Sequence, residues 1–305
     1  MGKWHSLLGG VSAALLTPRT EAGLLALEQF RQNLKFLLAG GIHSFALNGA
    51  TGEFCLTTPA QLECLLGETV ALVGKDGQFV VGIGAASHLT SIELGRMAAA
   101  AGAKAVLLPM PYFFPYEQAD LRAFVGRIAD ALPIPVLLYN LPQFTTGLAP
   151  QTSLALLRQH ENVVGIKDSS GSLDTLRLLT DEGEDCCRIV GNDSALGPAL
   201  KEHVSDGVVS GVACVLPELV QKVFDAGTAD PGSEEFENAS AHLDAFIELL
   251  NVLPVPWGLK VVAEERRLSL ATFALPVAAE RRQQMDQLRA WYRRHSGILY
   301  AFPPG

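Results

Sequence analysis

The sequence of 305 residues predicts an α/β fold: a (β/α)8 TIM barrel with a C-terminal helical extension. Three observations predict it. Between Val11 and about Ala226, short apolar runs alternate with longer segments of helical period, the pattern that builds a parallel sheet covered by helices. There are eight such runs, the number that closes a barrel. Several are apolar on consecutive residues, as in Val163, Val164, Gly165 and Ile166, which is expected where both faces of a parallel strand are buried. An open, doubly wound sheet shows the same alternation, and the count of eight favours closure.

In chain order, the expected strands cover residues 12–16, 44–47, 79–83, 105–108, 135–139, 163–167, 188–190 and 207–210. Between the second and third, Thr58-Pro59-Ala60-Gln61 reads as an N-cap, a proline at the first helical position and a capping-box partner. Leu62, Leu65, Leu66, Val70 and Val73 then mark one helical face. Thr90 and Glu93 repeat the capping-box spacing before the next helix. After Ala226 the stretch 227–233, rich in Gly, Pro and Asp, breaks the pattern. Three helices are expected beyond it, near 234–251, 256–266 and 276–294. Residues 1–226 are therefore read as the catalytic barrel and 227–305 as a helical region packed on it.

Composition narrows the function classes. With 49% hydrophobic and 18% charged residues the chain is an ordinary globular one, and its net charge of -9 is spread without a basic stretch that would track phosphates. Nucleic acid is not an expected partner. Cys55, Cys64, Cys186, Cys187 and Cys214 form no C-x-x-C pair, so neither a disulfide framework nor a structural metal is expected, and a reducing cytoplasm is the expected setting. The opening residues, from Met1 to Ser6, lack the apolar core of a secretory signal, and no apolar run approaches the roughly 20 residues of a membrane span.

In a closed barrel, chemistry belongs to the C-terminal ends of the strands. The polar residues there are Asn48 to Glu53 after the second run, Tyr139-Asn140 ending the fifth, Lys167-Asp168 ending the sixth, Gly191-Asn192-Asp193 after the seventh, and Ser210 ending the eighth. Lys167 closes an apolar run, and its amine, once free of its proton, can add to a ketone and lose water to give an iminium, an electron sink for breaking the neighbouring carbon–carbon bond. The alternative is a solvated lysine or an ion pair with Asp168. Tyr139, one strand away, is placed to shuttle protons, or simply closes a buried strand with its hydroxyl wet. Gly49 and Gly52 flank Ala50-Thr51, so backbone N–H groups and the Thr51 hydroxyl can approach a carboxylate, although a plain turn has the same composition. Glu53 is open between a supporting hydrogen-bond acceptor and a charge at a helix N-terminus. Gly82-Ile83-Gly84 lacks the third glycine of a dinucleotide loop, since Ser87 stands there. The seven histidines show no H-x-x-x-H, and Gly-x-Ser-x-Gly is absent.

Taken together, Gly-Ala-Thr-Gly-Glu at 49–53, Tyr-Asn-Leu-Pro at 139–142 and Gly-Ile-Lys-Asp-Ser-Ser-Gly at 165–171 resemble the dihydrodipicolinate synthase / N-acetylneuraminate lyase family. The resemblance runs from about Val11 through the C-terminal helices. It implies a homotetramer of barrels acting on pyruvate or a pyruvate-derived 2-oxo acid, with a covalent imine to substrate and neither metal nor organic cofactor. It makes Lys167 the Schiff-base lysine, Tyr139 the proton donor and acceptor, and Ala50 and Thr51 the carboxylate cradle, with Gly191 and Val209 lining the pyruvate pocket.

The chain departs from the family's pattern in ways that bear on substrate. Ala50 replaces a relay hydroxyl, and Phe113 stands where the synthase has a relay tyrosine that reaches into the neighbouring subunit. The stretch 143–147 has Phe144 and no arginine for an aldehyde carboxylate. Gly211 and Ser194 replace a serine and a second acid of the sialic acid lyase. The sequence therefore points to an aldolase of a 2-keto-3-deoxy sugar acid, giving pyruvate and an aldehyde. A dehydratase of such an acid, 4-hydroxy-tetrahydrodipicolinate synthase and a non-catalytic 2-oxo-acid binding protein are the alternatives.

Overall fold

The computed structural model describes residues 4–74 and 77–299. Met1, Gly2 and Lys3 of the leader reading, and residues 300–305 of the helical extension, lie outside the described residues.

Among the described residues, eight strands form one closed parallel barrel in chain order. They are β1 (Gly10–Ala14), β2 (Ser44–Leu47), β3 (Gln78–Gly82), β4 (Ala105–Pro109), β5 (Val136–Asn140), β6 (Val163–Asp168), β7 (Cys187–Val190) and β8 (Gly207–Ser210). The intervening helices are α1 (Leu27–Ala39), α2 (Pro59–Val73), α3 (His88–Ala100), α4 (Gln118–Ala129), α5 (Pro150–Gln159), α6 (Asp174–Asp181), α7 (Leu196–Lys201) and α8 (Pro217–Ala229). Helices α9 (Glu234–Leu250), α10 (Trp257–Glu265) and α11 (Ala279–Leu299) follow. The expected barrel and C-terminal helices are both present.

Burial explains why the strands read as unbroken apolar runs. Alternate residues serve two cores, a large one between strands and helices and a smaller one inside the barrel. On β4, Val106 and Leu108 face the helices while Ala105 and Leu107 fill the interior with Ala46, Val80, Leu137 and Val209. Small and medium side chains suit the interior because the closed sheet leaves room for little more than its own layers of side chains.

Local signals acted where they were read, with two corrections. Thr58 caps α2: its hydroxyl accepts from Gln61 N at 3.2 Å, and Gln61 Oε1 accepts from Thr58 N at 3.2 Å. The start of α3 differs. Ser87, not Thr90, is the N-cap, its hydroxyl accepting from Leu89 N at 3.3 Å, because extended backbone at Ser87 places the side chain over the first turn and leaves Thr90 inside the helix. The barrel's last helix also runs through Gly227 to Ala229 before Asp230 turns extended, so the break falls a few residues later than composition indicated. Gly227 is buried, and a β-carbon there would overlap Phe236 of α9 at 2.6 Å, so this glycine serves helix packing rather than a turn.

Candidate active site

A cavity of about 250 Å³ opens at the C-terminal ends of the strands, lined by Ala50, Thr51, Tyr139, Lys167, Gly191 and Val209 together with residues of the loops beyond β5 and β7 and of the C-terminal helices. All six residues singled out in the sequence thus share one space. None is adjacent in sequence to another apart from Ala50 and Thr51.

Lys167 reaches this space because of an irregularity in its strand. Val136 pairs with Val163 but Leu137 pairs with Gly165, so β6 carries one extra residue at Val164. The bulge sets Gly165 and Lys167 beside Leu137 and Tyr139, both of the interior set, and turns Asp168 the other way. Lys167 is only 3% exposed, and its Nζ donates to the Tyr139 hydroxyl at 3.0 Å, 4.2 Å from the ring centre. The alternative pairing with Asp168 does not occur. The Asp168 carboxylate accepts instead from Asn140 Nδ2 at 3.2 Å and Ser170 N at 2.8 Å, and Asn140 Oδ1 accepts from Leu148 N at 3.0 Å. These bonds lock the ends of β5 and β6 together, holding amine and phenol in register.

The second wall is the turn after β2. Asn48 and Glu53 both adopt left-handed backbone, with φ of 53° and 54°, and Asn48 Nδ2 donates to Gly82 O at 2.8 Å. This fixes the turn that carries Ala50 and the buried Thr51 into the cavity. Glu53 does not line the cavity; it precedes the 3-10 turn Phe54–Leu56 without a side-chain cap bond, and of its two readings the supporting hydrogen-bond acceptor is the one the structure shows. Its Oε2 accepts from Lys260 Nζ of α10 at 2.6 Å, with both side chains buried, and Lys260 also donates to Thr272 O at 2.9 Å.

Gly191 follows β7, and its lack of a side chain is required: a β-carbon there would meet Lys167 Cε at 2.8 Å and overlap Ser169 Oγ. Val209 is fully buried on β8. Asp193 also lines the cavity, its Oδ2 accepting from Gly211 N at 3.1 Å and Val212 N at 3.2 Å. Burial pushes its carboxyl up from the ordinary value, against hydrogen bonds and the nearby Lys167 charge, which pull it down. Asp193 Oδ1 and Ser169 Oγ are sealed from solvent and have no hydrogen-bond partner, which is costly unless something in the cavity meets them.

Sequence reasoning assigned no role to Asp193, Ser169 or Lys260, nor to the wall built by Ile247 and Leu250 of α9 and by Val255, Pro256, Gly258 and Leu259. The position of Ser169, two residues beyond Lys167, was a usable signal. The helical wall left none, because nothing in α9 or α10 distinguishes a cavity residue from an ordinary buried one. Phe113 lies outside the cavity, 86% exposed, with φ of 85°. Among the described residues, no group of three or more His, Cys, Asp or Glu side chains could hold a metal ion, and no helix is long and apolar enough to cross a membrane.

A closed parallel barrel whose strand ends converge on a buried lysine and tyrosine defines a barrel enzyme. The chain belongs to the dihydrodipicolinate synthetase family, whose sequence profile matches residues 7–294. It is 30% identical over 289 residues to the 4-hydroxy-tetrahydrodipicolinate synthase of Stenotrophomonas maltophilia, covering 92% of this chain and 95% of the relative. It is 31% identical over 261 residues to the enzyme of that name from Methanopyrus kandleri, covering 83% and 86%. The dihydrodipicolinate synthase structures from Thermotoga maritima and Acinetobacter baumannii, the latter in complex with pyruvate, superpose with TM-scores of 0.88 and 0.86. Each is 24% identical to this chain; the alignments cover 95% and 94% of it and 99% and 98% of the respective structures, a likeness of fold. The chain is accordingly an enzyme with the aldolase-type lyase function of its family.

Proposed function

We propose that this enzyme forms an imine between Lys167 and C2 of a 2-oxo acid and cleaves the C3–C4 bond to release pyruvate and an aldehyde, the acid being a 2-keto-3-deoxy sugar acid. The observation that carries the reading is the buried Lys167–Tyr139 pair, 3.0 Å apart inside the cavity.

The deprotonated Lys167 amine adds to the C2 ketone, and the carbinolamine hydroxyl leaves as water with the proton of the Tyr139 hydroxyl, leaving an iminium and a phenolate. The phenolate takes the proton of the C4 hydroxyl as the C3–C4 bond breaks. The bonding pair moves into the iminium, giving an enamine and the aldehyde. Protonation at C3 and hydrolysis by water return pyruvate and the free amine. Thr51 and the turn around Ala50 cradle the C1 carboxylate, while Gly191 and Val209 shape the space around C3. No metal or organic cofactor takes part in these steps. A dehydratase would share the iminium and lose the C4 hydroxyl instead.

Condensation onto an aldehyde bearing its own carboxylate is the second reading, favoured by the name of the relatives. Phe144 opposes it, since among the described residues lining the cavity Lys167 is the single cation, and a second carboxylate would be desolvated without a partner. The proposal extends to a homotetramer working in the cytoplasm.

Peptide mass spectrometry after borohydride reduction, with and without pyruvate, tests the mechanism. A pyruvyl increment on Lys167 is expected. Its absence from folded protein, with pyruvate and with longer 2-oxo acids alike, would sink the proposal.

A further inference from the structure

Near Lys167 the cavity lining is polar, with Thr51, Tyr139, Ser169 and Asp193. Farther out the wall changes character. Phe144 beyond β5, Leu250 of α9 and Val255 form its outer part, next to the buried Leu141, Ile247 and Leu259. Phe144 and Val255 are 54% and 59% exposed, so an aromatic ring and a branched aliphatic chain form the rim and meet water directly. Of the side-chain amides on the lining, Gln143 and Asn192 each have one atom committed elsewhere, which leaves Gln143 Oε1 and Asn192 Nδ2. Gln143 Nε2 donates to Ser169 O at 2.9 Å, and Asn192 Oδ1 accepts from Ser194 N and Oγ at 3.2 and 2.9 Å. Asn251 at the rim is the remaining amide.

We infer that the substrate carries, beyond the carbon that becomes the aldehyde, an uncharged apolar group that lies against Phe144, Val255 and the α9 wall. The inference rests on the Schiff-base mechanism above but departs from the ordinary sugar acid named there: in place of a polyol tail it takes 4-hydroxy-2-oxo acids whose far end is deoxygenated. Against the aliphatic and aromatic part of this wall the hydroxyls of a polyol tail would give up water for no partner, and an anionic tail would find no cation. An apolar tail instead removes both its own surface and the exposed rim from water. In the condensing direction, C3 of the pyruvate enamine bonds to the carbonyl carbon of such an aldehyde. The carbonyl oxygen takes a proton to become the C4 hydroxyl, and water releases the product from Lys167.

The test uses the full-length enzyme with pyruvate and four classes of aldehyde: straight-chain alkanals of rising length, benzaldehyde, glyceraldehyde and succinic semialdehyde. We expect kcat/KM to rise about four-fold for each methylene until the outer wall is filled. Glyceraldehyde should fall below the alkanal of equal length, and succinic semialdehyde lower still. Phe144→Arg should raise the ratio of succinic semialdehyde to alkanal turnover at least ten-fold. Preference for the polyol or the anionic aldehyde in the unaltered enzyme, or an unchanged ratio in Phe144→Arg, overturns the inference. Pyruvyl trapping on Lys167 is measured on the same preparations. Absence of the adduct removes the underlying mechanism, whereas an adduct accompanied by polyol preference removes the apolar tail alone.

Discussion

Lys167 and Tyr139 sit opposite each other on neighbouring strands, and their separate substitutions should fail differently. Lys167→Ala removes the nucleophile, so pyruvyl trapping should vanish and turnover fall by about three orders of magnitude or more. Tyr139→Phe keeps the amine and loses the proton shuttle. Turnover should fall by roughly 10²–10⁴-fold while slow trapping on Lys167 persists, a difference that single-turnover kinetics with mass detection resolves. At this scale the sequence was most legible. A lysine and a tyrosine ending apolar runs announce themselves, since the end of a barrel strand is both a local sequence feature and the place where chemistry collects. For Glu53 the sequence left an acceptor role open beside a helix-end charge, and its partner was not legible because Lys260 is 207 residues away.

Among the elements, the Glu53–Lys260 pair ties the turn after β2 to α10 in a buried setting. Lys260→Met would strand a buried carboxylate and should lower stability by about 3–5 kcal/mol in urea unfolding, while the double variant with Glu53→Gln should recover most of the loss. At the opposite end of the barrel, Asp206 joins β7 to the segment before β1. Its carboxylate accepts from Arg188 Nη2 at 2.9 Å and from Arg188 N at 2.8 Å, and His5 Nδ1 lies 2.8 Å away. Burial alone would raise this carboxyl, yet the Arg188 and His5 hydrogen bonds hold it below its ordinary value. The folded carboxyl is thus more acidic than the unfolded one, at about 3.9, so its contribution is complete above that pH and is lost as pH falls through the lower folded value. Asp206→Asn should therefore lower stability at neutral pH and flatten its decline below about pH 4, as read by unfolding across pH. The elements themselves were mostly foreseeable. The cap of α2 acted through a four-residue motif, whereas the Thr90–Glu93 spacing did not cap α3, because the extended backbone lies at Ser87 and Thr90 is already inside the helix.

For the whole molecule, the exposed, mutually packed rings of Phe113 and Phe114, with centres 4.8 Å apart, form an apolar feature outside the cavity. With the proposed homotetramer, sedimentation should give a mass near four chains, and Phe113→Asp should shift it toward smaller species. A single-chain mass for the unaltered protein would remove the tetramer from the proposal. The sequence by itself determined the strand count, the order of the elements, the lysine–tyrosine pair and the family, because apolar periodicity and strand-end residues are local signals repeated along the chain. Only the tertiary structure decided which way Lys167 points, through the bulge at Val164, and which residues complete the cavity. It alone brought Lys260 to Glu53 and set Ile247, Leu250 and Leu259 against the strand ends. Those contacts arise when a closed barrel and its trailing helices bury their faces together, and no spacing within either segment encodes that meeting.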